Sequence, residues 1–266
     1  MSLEVEPFFF GGPDQPLFGC YHPPRPVAPR RLPLLLCHPL GYEYVPSHRC
    51  FQQLATRLAR GGFPVLRFDY FATGDSAGDE AEGRIARWLA DIDTAIDVLL
   101  RRTRARQIGL VGLRGGATLA WIAAARRSEV TSHALWDPIV NGRDHLAELI
   151  AFQESTLLQY PKSYRRPHGE RHDDIRGCEF PEDLEREYQA MDMLSVSPRS
   201  RERALLIVSA AEEAEPLRKH LESNLPGRLT FQHQPGPQIW SADPTKKMVP
   251  AEILDSIVTW HSQAAT

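Results

Sequence analysis

The stretch IGLVGLRGGATLA, residues 108–120, constrains this chain more than any other. Its apolar opening reads as a strand covered on both faces. Gly112, Gly115 and Gly116 then permit a turn too tight for side chains. The small residues that follow, Ala117, Ala120, Ala123 and Ala124, predict a helix able to lie close against a sheet. A buried strand feeding directly into a close-packed helix is the signature of an α/β layer fold. Arg114 stands midway between Gly112 and Gly116, at the tip of the turn.

The same rhythm runs through most of the chain. EPFFF and PLFGCYH flank GGPDQ and predict a hairpin. The proline-rich PPRPVAPRR reads as a stiff surface loop, and LPLLLC as a buried strand. HPLGYEYVPSHR is expected to be a loop, followed by a helix over CFQQLATRLAR that ends on Gly61 and Gly62. FPVLRFDY is a strand and FATGDSAGDEAEG a turn-rich loop. In the next helix Ile85, Trp88, Leu89, Ile92, Ile96 and Leu99 share one face. Residues 116–127 predict a helix and SHALWDP a strand.

Between 141 and 200 the rhythm breaks into two helical stretches around a polar segment, the second opening on Pro181. It resumes with RALLIVSA, EEAEPLRKHLESN, RLTFQH and a closing helix. The prediction is an α/β fold with a mostly parallel, twisted sheet and helices on both faces. Its core spans 1–140 and 201–266, with a cap over 141–200 inserted after the sixth strand.

Composition narrows the partners. The 266 residues carry a formal net charge of −3 and no basic stripe, which excludes nucleic acid as an expected partner. No apolar run reaches membrane-spanning length and no signal-peptide pattern opens the chain, so a cytoplasmic protein without a membrane span is expected. Cys20, Cys37, Cys50 and Cys178 form no CxxC pair, and no metal or cofactor is expected. HGERHDD, with His168 and His172 four apart, reads as an exposed polar loop. A homodimer is compatible with the sequence.

Four stretches carry a family resemblance. LLLCHPLG resembles the His-Pro-x-Gly segment after the third strand of α/β-hydrolases, where a backbone N–H helps form the oxyanion hole. LRFDYFATGDSAG resembles the motif after their fourth strand, with Ala72 where glycine is usual. GLRGGATLA occupies the place of Gly-x-Ser-x-Gly. ALWDPIVNGRDHL precedes the cap. Arg114 at the elbow, with IRGCEFPEDLEREYQAMDML in the cap, is similar to hydrolase-like proteins encoded beside exosortase A systems that lack the elbow serine. That resemblance implies an α/β-hydrolase fold with a degenerate catalytic triad.

A serine hydrolase needs a nucleophile, a histidine base and an orienting carboxylate. Arg114 has five N–H donors and no acceptor, so it is neither nucleophile nor ordinary base. Its neighbours Leu113 and Gly115 supply no shifted serine. Glu212, after the seventh strand, stands where the acid is expected, although the first turn of a helix also favours acidic residues. In the loop after the eighth strand the resembled proteins carry tryptophan instead of histidine, and Trp240 fits.

The residues expected to act are therefore His38, Arg114 and Glu212. Those expected to line a ligand site are Leu40, Tyr70, Leu113, Gly115, Trp136, Asp137 and Trp240. Arg114 has two readings. It grips an anionic group of a ligand, or it pairs with a carboxylate such as Asp137 or Glu212 and plugs the pocket. Three functions stay open: a hydrolase-like protein that binds a small acyl or anionic ligand and acts on an ester or thioester without a serine; an inactive pseudohydrolase serving as scaffold in a biosynthetic or polysaccharide-export cluster; and a lyase or isomerase using an arginine clamp and proton transfer.

Overall fold

The computed structural model describes residues 5–25, 30–159, 173–199, 202–236, 238–241 and 248–264. The chain opens with the predicted hairpin, β1 (Glu6–Gly11) and β2 (Pro16–His22). Next come β3 (Leu34–Cys37), α1 (Tyr44–Arg60), β4 (Val65–Phe68) and α2 (Ile85–Thr103). The glycine turn joins β5 (Ile108–Leu113) to α3 (Gly115–Ala124), and β6 (Val130–Trp136) follows. Beyond α4 (Gly142–Leu157) come a two-stranded ribbon, Asp174–Ile175 with Cys178–Glu179, and α5 (Glu182–Gln189). The chain closes with β7 (Arg203–Val208), α6 (Glu215–Asn224), β8 (Leu229–His233) and α7 (Ala251–Ala264).

The eight strands form one sheet in the order β1-β2-β4-β3-β5-β6-β7-β8. β2 runs antiparallel to both of its neighbours, and the strands from β4 onward pair in parallel. Every residue of β3 and β5 is buried, as their unbroken apolar runs require when helices cover both faces. Of the predicted stripe of α2, Ile85, Trp88, Ile92, Ile96 and Leu99 are buried and Leu89 is half-buried against them. Burying each such side chain stabilises the fold by roughly 1.5–3 kcal/mol.

One element begins earlier than its sequence predicts. The stretch after His38, read as a loop, winds into a 3-10 turn over Gly41–Glu43 and then straight into α1. Pro46 lies in the first turn of α1, where a missing N–H breaks no helical bond. α3 is shorter than expected, ending at Ala124.

The segment between β6 and β7 does not keep a core of its own. Leu146, Ile175, Phe180, Leu184, Tyr188 and Met191 join the same buried cluster as β3, β4 and α2. Asn141 caps α4 by accepting from the Arg143 and Asp144 N–H groups. A side chain at Gly142 would meet the Tyr188 carbonyl at 1.8 Å, so the start of α4 lies hard against the end of α5.

Register sets out the site. Leu113 pairs with Trp136, Trp136 with Ile207, and Cys37 with Gly112. The carboxyl ends of β3, β5, β6 and β7 are thus level, and His38, Arg114, Asp137 and Ser209 follow strands that end side by side. Ligand clefts of open parallel sheets form at this edge.

Candidate functional site

Arg114 sits at φ 54°, ψ −128°, a conformation that side chains rarely adopt. The turn holds because its flanks are glycine. A Cβ at Gly112 would lie 2.4 Å from the Ala117 Cα, and one at Gly116 only 2.2 Å from the His38 carbonyl oxygen. The backbone N–H of Arg114 donates to the Trp136 carbonyl at 3.0 Å. This is the sharp strand-to-helix elbow that the glycine spacing predicts, with an arginine raised on it.

Each nitrogen of the guanidinium has a partner. Nε donates to Oε1 of Glu43 at 3.0 Å, Nη1 to the Asp137 carbonyl at 3.3 Å, and Nη2 to Nε2 of His145 at 2.8 Å. Its flat face lies 4.9 Å from the centre of the Trp240 ring. Burial pushes the Glu43 carboxyl up, but the Arg114 guanidinium beside it outweighs burial and holds it below the usual range. Burial works against the charge on Arg114, and Glu43 more than restores it.

The partner is therefore Glu43, not Asp137 or Glu212 as the sequence suggested. Asp137 turns its carboxylate to Ser209, accepting from the N–H at 2.7 Å and the hydroxyl at 2.9 Å. Burial raises its pKa against those bonds and the Arg114 charge. Glu212 is exposed and borders neither cavity at the elbow.

His145 reaches Arg114 from the first turns of α4, and its Nδ1 lies 2.7 Å from the Tyr188 hydroxyl. An arginine only donates, so Nε2 accepts, and the ring proton sits on Nδ1 and is donated to Tyr188. His233 is exposed at the end of β8, with Nε2 3.3 Å from the Ser209 carbonyl. His261 is buried against Phe63 in α7. Among the described residues His145 is the histidine within reach of the elbow.

Two cavities flank this network, and His145 borders both. One is lined by Arg114, Asp137, Asp144, Glu148, Glu213 and Trp240, among others, between α4 and the loop after β7. The other lies under the segment between β6 and β7, bounded by Leu40, Glu43, Trp88, Leu149, Leu184 and Tyr188 with their neighbours.

The predicted lining residues thus divide. Arg114, Asp137 and Trp240 meet at the first cavity, and Leu40 borders the second. Tyr70, Leu113, Gly115 and Trp136 are buried beneath the elbow and border neither. A Cβ at Gly115 would meet the Leu40 side chain at 2.8 Å, so the segment after β3 is pressed onto the elbow.

His38 is also outside both cavities. Its ring lies 4.4 Å from those of Tyr44 and Tyr70, with Nδ1 2.7 Å from the Pro39 carbonyl. Burial pulls its pKa down to about 4 although Asp69 opposes this. Asp69 itself ties the loop after β4 together, accepting from the Tyr44 hydroxyl and the Asp75 N–H.

Glu43, His145 and Tyr188 were missed. Only Glu43 left a trace in the sequence: a buried arginine needs a carboxylate, and Glu43 follows the His-Pro-x-Gly segment by two residues. His168 and His172 lie outside the described residues. Among the described residues no group of three or more histidine, cysteine, aspartate or glutamate side chains could hold a metal ion, and no helix is long and apolar enough to cross a membrane.

Neither a protein-family description nor a curated relative matches the chain. Solved structures do. An esterase from Pyrococcus furiosus superposes with a TM-score of 0.70 at 15% identity, covering 98% of this chain and 91% of that one. Est1E from Butyrivibrio proteoclasticus gives 0.67 at 14%, covering 97% and 98%. A putative hydrolase from Agrobacterium vitis gives 0.61 at 18%, covering 100% and 99%. The fold is the α/β-hydrolase fold. At such identities the likeness extends to the fold and no further.

Proposed function

We propose that this chain is a capped binding protein on a hydrolase fold, which holds a small acyl ligand and does not hydrolyse it by the serine route. The observation that carries this reading is the guanidinium of Arg114. At the place of the nucleophile it is tied to Glu43, Asp137 and His145 together. It is an internal ion-pair partner rather than a free clamp.

Charge favours an acyl over an anionic ligand. Glu43 neutralises Arg114, and Asp137, Asp144, Glu148 and Glu213 border the cavity into which Arg114 faces. An incoming carboxylate or phosphate would meet more negative than positive charge. The resemblance to proteins encoded beside exosortase A systems supports a scaffold or ligand-carrying role in a polysaccharide-export or biosynthetic cluster. A cytoplasmic location agrees with the cysteine usage.

A second reading, a lyase or isomerase that only moves protons, is favoured by His145, a histidine in contact with the elbow arginine. Calorimetric titration separates these from an active hydrolase. Short neutral esters should bind the wild-type protein and be recovered intact. Recovery of isomerised or eliminated product supports the second reading, and failure of every neutral acyl compound to bind defeats the first.

A further inference from the structure

We propose that the Tyr188 hydroxyl is the anchor of a binding site under the cap, and that it donates a hydrogen bond to the carbonyl oxygen of an uncharged short-chain ligand. This rests on the acyl-binding reading above and names the chemistry of its ligand.

The argument begins with proton placement. Nη2 of Arg114 lies 2.8 Å from Nε2 of His145 and can only donate to it. The His145 proton is therefore on Nδ1, which lies 2.7 Å from Oη of Tyr188 and donates to it. Oη accepts this bond and still carries its own proton. Among the described residues no acceptor receives that proton. A buried hydroxyl donor left without an acceptor costs about 1–3 kcal/mol, and a ligand oxygen removes that cost.

Tyr188 is held in place for this. It is 3% exposed, its ring packs edge-on against Phe180, and the close approach at Gly142 fixes α4 against α5. Burial raises its pKa well above the usual tyrosine value, with Glu43 adding to the effect. The group stays a neutral donor at every physiological pH.

The surroundings select the rest of the ligand. Tyr188, His145 and Glu43 border the cavity as its polar members near the elbow, while Leu40, Trp88, Leu149, Ile175, Phe180 and Leu184 give it an apolar wall. Its volume, about 60 Å³, suits a short chain. Three carboxylates, Glu43, Glu80 and Glu179, border this space against one cation, Arg176, so the balance of charge disfavours a carboxylate ligand.

The test uses two probes of similar size, 2-pentanone and butanoate, titrated by NMR into the wild-type protein and Tyr188→Phe. The carbonyl stretch of bound 2-pentanone is read by infrared spectroscopy. The ketone should bind wild type at least tenfold more tightly than butanoate, and Tyr188→Phe should weaken it about tenfold. The bound carbonyl band should shift to lower frequency in wild type only. Equal ketone affinity in Tyr188→Phe, or butanoate binding as well as the ketone, overturns the proposal and leaves the acyl-binding reading standing. If neither probe binds, both readings fail. Should Tyr188→Phe fold poorly, the wild-type band decides alone: a carbonyl frequency matching that in hexane contradicts the hydrogen bond.

Discussion

Nε of Arg114 and Oε1 of Glu43 stand 3.0 Å apart across the carboxyl edge of the sheet, joining the elbow after β5 to the turn that opens α1. Both side chains are largely buried, at 17% and 7% exposure. Removing one member strands the charge of the other in a poorly solvated place. Glu43→Ala should therefore destabilise the protein by about 3 kcal/mol. The double replacement Arg114→Met with Glu43→Leu should recover most of that loss. Urea unfolding of the two single variants and the double variant checks this. Additive losses would show that the pair does not couple.

Arg114→Ser should not create an esterase. The serine would sit on a proper elbow, but the histidine at hand, His145, is turned to Tyr188 from the cap, and His233 points to the Ser209 carbonyl. Without a base in line with its hydroxyl a serine stays a weak nucleophile. Release of 4-nitrophenol from its acetate and butanoate esters by this variant should match the buffer. Burst release of product would place a working base at the elbow.

The elbow should be intolerant of side chains where an open glycine is not. Gly116→Ala puts a Cβ on backbone carbonyl oxygens of both Cys37 and His38, within 2.3 Å. We expect a loss above about 3 kcal/mol, or no soluble protein. Gly12→Ala meets nothing within 4 Å and should be silent within about 0.5 kcal/mol. Thermal melts of the two proteins side by side measure the contrast.

Acid should destabilise the protein through buried neutral histidines. Burial holds His38 at about 4, where an unfolded chain has about 6.5. As pH falls from 6.5 to 4 the unfolded chain takes up a proton that the folded one refuses, so stability declines across that window. His22, also lowered to about 4 by burial, acts in the same sense. His38→Gln should flatten the slope by about 1.4 kcal/mol per pH unit. Urea unfolding at pH 7 and pH 5 tests it, and an unchanged slope in the variant means that His38 titrates normally in the folded protein.

The fold was legible because its signals are local. Runs such as Leu34–Cys37, the stripe of Trp88 and Ile92, and the glycines around Arg114 each act over a few residues. The site was legible only in part. Arg114, Asp137 and Trp240 follow strand ends, and motif spacing places them. Glu43 comes to Arg114 from 71 positions away, and His145 from 31. Tyr188 joins them through a contact between two helices that no spacing rule predicts. Tyr70 and Trp136 were expected at the ligand because they follow the right strands, yet large aromatics at that depth fill the space beneath the elbow instead.

The most direct test of the account is turnover of an acyl ester and acyl thioester series by the wild-type protein beside Arg114→Ala. The account predicts no turnover above background by wild type at any chain length, because Arg114 is locked to Glu43 and stands at the elbow in place of a nucleophile. Turnover by wild type that vanishes in a folded Arg114→Ala protein would contradict it and make Arg114 part of a working active site.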